Sequence, residues 1–332
     1  MPMVAVNTVK LDAVCALLQQ TAIPEPQESI SHDSVWPHSL DLLANSYLAI
    51  VGICHQTSPI GERQLEGQVR NRPSRGWDYL KVKFLTRAAA DPSWATPEHW
   101  RWMVPGALSE LYEDETHGKT LGRVNERALL LNDMGSWLVK AKVSHIAELF
   151  QACNRTLGGP NGFYQSLSSM AAYSDPVRKK SLFFASIAQS ECGWQICDPE
   201  ALFSPVDYHE LRGHLRIGTL KFGKGLQKKI DQGLVLSESE DTSVREAVQM
   251  ANNQIAQETG ISSSALHYFL WNYFRNCCSR TVTCCNTRPS DYLPEPYGGL
   301  LAQHETCPLK PACASADVDN KPHEPPYAGH YY

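Results

Sequence analysis

Two side chains in the middle of the chain could break a carbon–nitrogen bond. Lys180 stands in Arg178-Lys179-Lys180-Ser181 and Asp207 in Val206-Asp207-Tyr208-His209. A lysine amine held uncharged is a nucleophile toward an electrophilic sugar carbon and forms a Schiff base there. A carboxylate stabilises the oxocarbenium-like cation that develops at C1′ as a base departs. Further along, six of the 11 cysteines crowd between Cys277 and Cys313. Cys277 with Cys284 and Cys278 with Cys285 offer one spacing in two registers, and Cys307 and Cys313 enclose five residues. Thiols so gathered suit a metal site, and their odd total argues against a disulfide framework.

Local sequence says what positions these groups. Asp175 before Pro176 reads as a helix N-cap with proline at the first helical position, so a helix runs through Leu182, Phe183, Phe184 and Ile187 with Lys180 in its first turns. Asp207 with Glu210 three residues on reads as a capping box for a second helix that stops near Gly218. Upstream, the apolar run Leu40 to Cys54 predicts a buried helix that ends in Ile53-Cys54-His55-Gln56-Thr57-Ser58. Gly61 to Gly76 is polar, Arg-rich and interrupted by Pro73, which predicts a surface loop.

Helices are predicted over Val9–Leu18, Trp77–Arg87, Thr96–Trp102, Leu108–Tyr112, Arg123–Leu138, Ser144–Cys153 and Phe163–Tyr173. A flexible loop at Ser237–Asp241 leads into a helix over Thr242–Glu258 with Gly260 as its stop, and an aromatic-rich helix over Ser264–Arg275 feeds Cys277. No stretch sustains period-two alternation, so the fold class is all-α or nearly so.

At 332 residues and 42% hydrophobic content the chain can bury one large core or two lobes. The net charge of −5 excludes a uniformly basic nucleic-acid binder. Even so, Arg178, Lys179, Lys180, Arg212, Arg216, Lys221, Lys224, Lys228 and Lys229 fall in one region and could form a local phosphate-binding face. No apolar run approaches the roughly 18 residues of a membrane span, and the start lacks a basic-then-apolar signal pattern. The expectation is a soluble, monomeric intracellular protein, cytoplasmic and nucleoid-associated or nuclear.

The order of these segments resembles the helix-hairpin-helix DNA glycosylases, both the endonuclease III-like and the archaeal 8-oxoguanine glycosylase-like branches. In that family a hairpin ending in Lys-Ser or Lys-Thr precedes a Val-Asp-x-His segment. The resemblance implies Lys180 as the nucleophile, Asp207 as the carboxylate that assists base departure, and His209 beside it. It also implies Gln56 as the residue that fills the space of an extruded nucleotide, Arg178 and Lys179 as phosphate partners, and Trp77 as an aromatic against the base. Trp94, Trp100, Trp102, Trp137 and Trp271 are further stacking candidates. The hairpin departs from the family pattern, with Ser174-Asp175-Pro176-Val177 where the family carries Gly-x-Gly.

The cysteine tail is similar to the family's iron–sulfur loop, with about twenty residues inserted in the middle spacer. It implies a [4Fe-4S] cluster on Cys277, Cys284, Cys307 and Cys313, with zinc and His304 as the alternative. Looping out a spacer adds little closure entropy.

The resemblance further implies a bilobal fold with Lys180 and Asp207 lining a cleft. Residues 1–34 are then a peripheral segment, and 35–75 an early helix and loop joining the C-terminal lobe. Residues 76–206 form a helical barrel lobe with the hairpin, 207–276 the C-terminal helical lobe, 277–314 the metal loop and 315–332 a disordered tail. The implied activity is excision of a damaged or modified base from double-stranded DNA, with or without strand nicking. The base would be oxidised guanine or a bulky base of viral DNA, the latter in antiviral defence. The rival reading is a nucleoside or nucleotide N-glycosidase that salvages a modified base such as queuine.

Overall fold

The computed structural model describes residues 3–26, 36–37, 39–327 and 329–332. Of these, 51% are helical, and the strands pair only in three two-stranded sheets. The mostly helical class expected from the sequence is therefore present. The chain forms two compact units: a central one of Glu28–Leu202 with Gly329–Tyr332, and a flanking one of Met1–Gln27 with Phe203–Ala328. Among the described residues no helix is long and apolar enough to cross a membrane.

The central unit is built around the Leu40–Gly52 helix. Ser39 caps it, and every residue from Leu43 to Gly52 is buried, so the helix must be enclosed on all sides. The Lys179–Glu191 and Trp77–Ala90 helices pack on it. Buried Asn45 ties it to three segments, donating to the carbonyls of Ala95 and Ser144 and accepting from the Ile146 N–H. Gly52 ends the helix where a Cβ would meet Met134 Sδ at 2.7 Å, so glycine lets the Val124–Ala141 helix close in. The sequence placed this early helix with the C-terminal lobe. Its apolar circumference seats it instead at the heart of the central unit.

Gly61–Gly76 is exposed as expected but is not a plain loop. Glu66–Val69 and Arg72–Arg75 pair antiparallel, with Val69 opposite Arg72. The two linking residues, Arg70 and Asn71, have φ of 51° and 61°, the left-handed pair that a two-residue hairpin turn demands. Asp114 Oδ2 accepts the Gln68 N–H at 2.6 Å and anchors the ladder.

In the flanking unit, Val4–Val6 pairs with Leu220–Phe222, and the Thr8–Leu18 helix packs on the Glu238–Thr259 helix with Leu11, Val14, Cys15 and Leu18 buried. The opening stretch is thus part of a core and not peripheral, while residues 27–34 of that stretch lie outside the described residues. The expected loop at Ser237–Asp241 is the first turn of a helix, because Ser237 and Glu240 form a reciprocal capping box.

The tail expected to be disordered is packed over 315–327. Glu324 is buried and accepts from Arg212 Nη1 at 2.8 Å and Arg280 Nε at 2.8 Å, and Tyr327 stacks on Tyr208. The buried Arg212 guanidinium and the half-buried one of Arg280 need a carboxylate, which outweighs the tail's proline-rich composition.

Candidate active site and thiol loop

Asp175 does not cap its helix directly. Its carboxylate accepts the N–H groups of Val177 at 3.1 Å and Lys179 at 2.9 Å, and Arg178 takes the left-handed conformation at φ 59°. The helix therefore begins at Lys179, three residues later than Pro176 suggests, and still carries Lys180 in its first turn. Lys180 has 0% exposure, and its Nζ donates to the Gly52 carbonyl at 2.6 Å. Burial first, then the charges of Lys179 and Arg127, push its pKa down to about 7 against the pull of Cys54 and Asp175. Near neutral pH the amine is thus substantially uncharged, as an amine nucleophile requires.

The turn after the Leu40–Gly52 helix frames this lysine. Arg127, itself buried, donates through Nη1 to the Ile53 carbonyl and through Nη2 to that of His55 at 2.6 Å. His55 is fully buried, and burial together with the charges of Arg127 and Lys180 keeps its imidazole neutral, well below the usual histidine range. Gln56 is buried at φ 45°, with its N–H on the Tyr332 carbonyl at 2.8 Å and its side-chain amide on that of Gly329 at 2.6 Å. Sequence reasoning named Gln56 but missed Arg127, whose role depends on residues more than seventy positions away.

The other residues expected beside DNA divide. Arg178 is exposed, with its guanidinium 5.8 Å from the Tyr164 ring centroid. Lys179 is not placed for a phosphate: it is buried, and its Nζ lies 3.9 Å from Cys54 Sγ. Trp77 packs edge-on against Phe183, centroids 4.8 Å apart, on the helix that carries Lys180. Trp94 and Trp100 are core residues, whereas Trp102 is exposed. Arg212 and Arg216, counted above in a basic face, are buried; Lys221, Lys224 and Lys228 are exposed.

Asp207 belongs to the flanking unit, Lys180 to the central one. Asp207 caps the Tyr208–Ile217 helix, which Gly218 ends in the left-handed conformation, and the capping box with Glu210 is formed. Both cap bonds, from His209 N–H at 2.7 Å and Glu210 N–H at 3.2 Å, go to Oδ1. Oδ2 takes part in neither cap bond. Behind it Glu210 is fully buried, bonded to His267 and Asn252, and burial raises its pKa. Arg212 Nη2 lies 2.7 Å from His209 Nδ1, which can only accept from a guanidinium, so neutral His209 carries its proton on Nε2. Trp271 meets the His209 ring edge-on at 6.3 Å.

The cysteines separate by register. Cys277 and Cys284 are 2% and 1% exposed, sit in the apolar core with Phe269 and Leu301, and hydrogen-bond to each other. Cys278, Cys285, Cys307 and Cys313 are half-buried. Cys307 and Cys313 each lie in the field of both Cys278 and Cys285, and Cys277 in that of Cys278 and Cys307. Arg216 Nη1 donates to Cys278 Sγ at 3.3 Å and Tyr273 Oη to Cys307 Sγ at 2.9 Å. Donors aimed at sulfur favour thiolates and tune a sulfur-ligated group. Both registers therefore lie near Cys307, whose N–H also bonds the Cys284 carbonyl at 3.1 Å; of the expected set Cys277, Cys284, Cys307 and Cys313 the first two are buried, and Cys278 and Cys285 of the other register are half-buried. Among the described residues no three Cys, His, Asp or Glu side chains converge on a single point that would hold one metal ion.

The chain matches no protein-family model and no curated protein.

Proposed function

We propose that the chain is a DNA glycosylase that excises a damaged or modified base and uses Lys180 as its nucleophile. The observation that carries this reading is the sealed amine: Lys180 Nζ on the Gly52 carbonyl, with its pKa brought down to about 7. A lysine kept only for solubility or packing gains nothing from such a place, since burial costs its charged form dearly.

In the proposed reaction the neutral Lys180 amine attacks C1′ of an extruded nucleotide. The C1′–N bond breaks, and the electron pair leaves with the base, which takes up a proton. The resemblance assigns stabilisation of the cationic sugar to the Asp207 carboxylate. Loss of a proton from the substituted amine and opening of the sugar ring give the Schiff base, from which β-elimination nicks the strand. Exposed Arg178 contacts a phosphate. Cys278, Cys285, Cys307 and Cys313 would hold a [4Fe-4S] cluster, which would supply an electron-transfer centre when bound.

The substrate class is double-stranded DNA carrying oxidised guanine or a bulky modified base. Borohydride trapping on duplex DNA with an abasic site, beside mass spectrometry of bases released from a panel of modified duplexes, tests the reading. A covalent adduct that disappears in Lys180→Ala is the expected result. Turnover of free nucleosides with no adduct and no base released from DNA would overturn it in favour of a nucleoside N-glycosidase.

A further inference from the structure

The Gly329–Tyr332 segment belongs to the central unit and lies across the turn that frames Lys180. Its backbone carbonyls take both the N–H and the side-chain amide of Gln56. His330 Nε2 bonds the Ala171 carbonyl at 2.8 Å, its Nδ1 lies 3.8 Å from Glu126 Oε1, and its ring meets that of His55 edge-on with centroids 6.1 Å apart. The Tyr331 ring stands 4.9 Å from that of His330, and Tyr332 is buried.

Beneath this cover are polar groups that the closed arrangement does not satisfy. Neither ring nitrogen of His55 has a hydrogen-bond partner, although the side chain is fully buried; its nearest carboxylate oxygen, Glu126 Oε2, is 3.6 Å from Nε2. Buried polar atoms without partners are rare, because each forfeits its hydration for nothing in return. Two polar side chains are thus enclosed together, one an amine suited to attack and the other an imidazole lacking a partner. The segment itself presents what a nucleotide presents: carbonyl acceptors to an amide, and flat rings in file.

We propose that the Gly329–Tyr332 segment is an intramolecular occupant of the strand-binding surface. It holds Gln56 and shuts off Lys180, and an incoming nucleic-acid strand displaces it. The helices around Lys180 are core elements that cannot part without unfolding, whereas this segment is four residues of irregular chain whose contacts include the bonds to Gln56 and Ala171. The identity of the displacing ligand rests on the glycosylase reading; the occlusion of Lys180 does not.

The test reads Lys180 directly. The full chain, a variant lacking residues 329–332, and His330→Ala are exposed to formaldehyde and cyanoborohydride, and methylation of each lysine is followed by peptide mass spectrometry. Lys180 should react about tenfold faster in the truncated protein and by a smaller factor in His330→Ala, in step with the open fraction, while exposed Lys224 is unchanged. An unchanged Lys180 rate in both variants overturns the proposal. So does a uniform rise at every lysine on truncation with none in His330→Ala, since that is unfolding. Borohydride trapping on abasic duplex DNA is run alongside. Selective exposure of Lys180 with no adduct from any of the three proteins would leave the occlusion standing and sink the glycosylase reading.

Discussion

Lys180 Nζ donates to the carbonyl oxygen of Gly52 at 2.6 Å, which seats the amine on the C-terminal end of the Leu40–Gly52 helix. That end of a helix favours a positive charge. Complete burial and the charges of Lys179 and Arg127 outweigh it, so the pKa falls from 10.5 to about 7. The site therefore opposes the resting charge of its own lysine.

A dependence on pH follows from that conflict. The unfolded chain holds a proton on Lys180 up to about pH 10.5, while the folded chain releases it above about pH 7. Stability rises with pH across this window and is lost as pH falls through it, with no further loss from this group below about 7. At about 1.4 kcal/mol per pH unit, the whole window is worth on the order of 5 kcal/mol. Lys180→Met removes that cost at the expense of one hydrogen bond to Gly52. It should raise the thermal midpoint at pH 7 by a few degrees while abolishing borohydride trapping. A lower midpoint would show that the charge is well accommodated. In the native protein the trapping rate should climb through about pH 7 and level off above it.

Arg127 has two expected effects with separate readouts. Arg127→Gln withdraws donors from the buried carbonyls of Ile53 and His55, and should cost about 3 kcal/mol by denaturant unfolding. It also removes a positive charge from the neighbourhood of Lys180, so the pH midpoint of trapping should move upward. A stability loss with an unmoved midpoint would confine Arg127 to holding the turn.

Asp207 can be tested without dismantling its helix. Asn is as good an N-cap as Asp, so Asp207→Asn should cost under about 1 kcal/mol in stability, against about 1–2 kcal/mol for Asp207→Ala. Base release should nevertheless fall by about a hundredfold or more in both, because the amide cannot offset a developing cation. Base release by Asp207→Asn near the native rate would reduce the residue to a cap.

The cysteine registers predict opposite phenotypes. Cys278→Ala and Cys285→Ala should lose bound iron and the absorption near 400 nm expected of a cluster. Cys277→Ala and Cys284→Ala should keep both and lose about 1–2 kcal/mol of core stability. Loss of iron in the second pair, with retention in the first, would restore the register read from sequence.

What was legible in the sequence was local. Asp207, Glu210 and Gly218 announce a helix within twelve residues because capping is a near-neighbour matter, and Ser237 with Glu240 carried the same signal, obscured by a run of charge. Adjacent cysteine pairs keep one spacing in either register. Only the packing of the Ser263–Asn276 helix end decides which pair turns inward. The ordering of residues 315–327 hinges on Glu324 meeting Arg212, 112 positions earlier, which no local pattern encodes. The hairpin turn at Arg70-Asn71 lacks the Asn-Gly signature that would have betrayed it.

The pairing of Val4–Val6 with Leu220–Phe222 has a consequence for the order of events on the ribosome. The first strand and the Thr8–Leu18 helix emerge long before the Glu238–Thr259 helix that covers them, and must wait with Leu11, Val14 and Leu18 unburied. The core of the central unit can meanwhile assemble from contiguous chain. Synthesis at about 5–20 residues per second makes that wait on the order of ten seconds or more, the interval in which a nascent-chain chaperone would find its binding site.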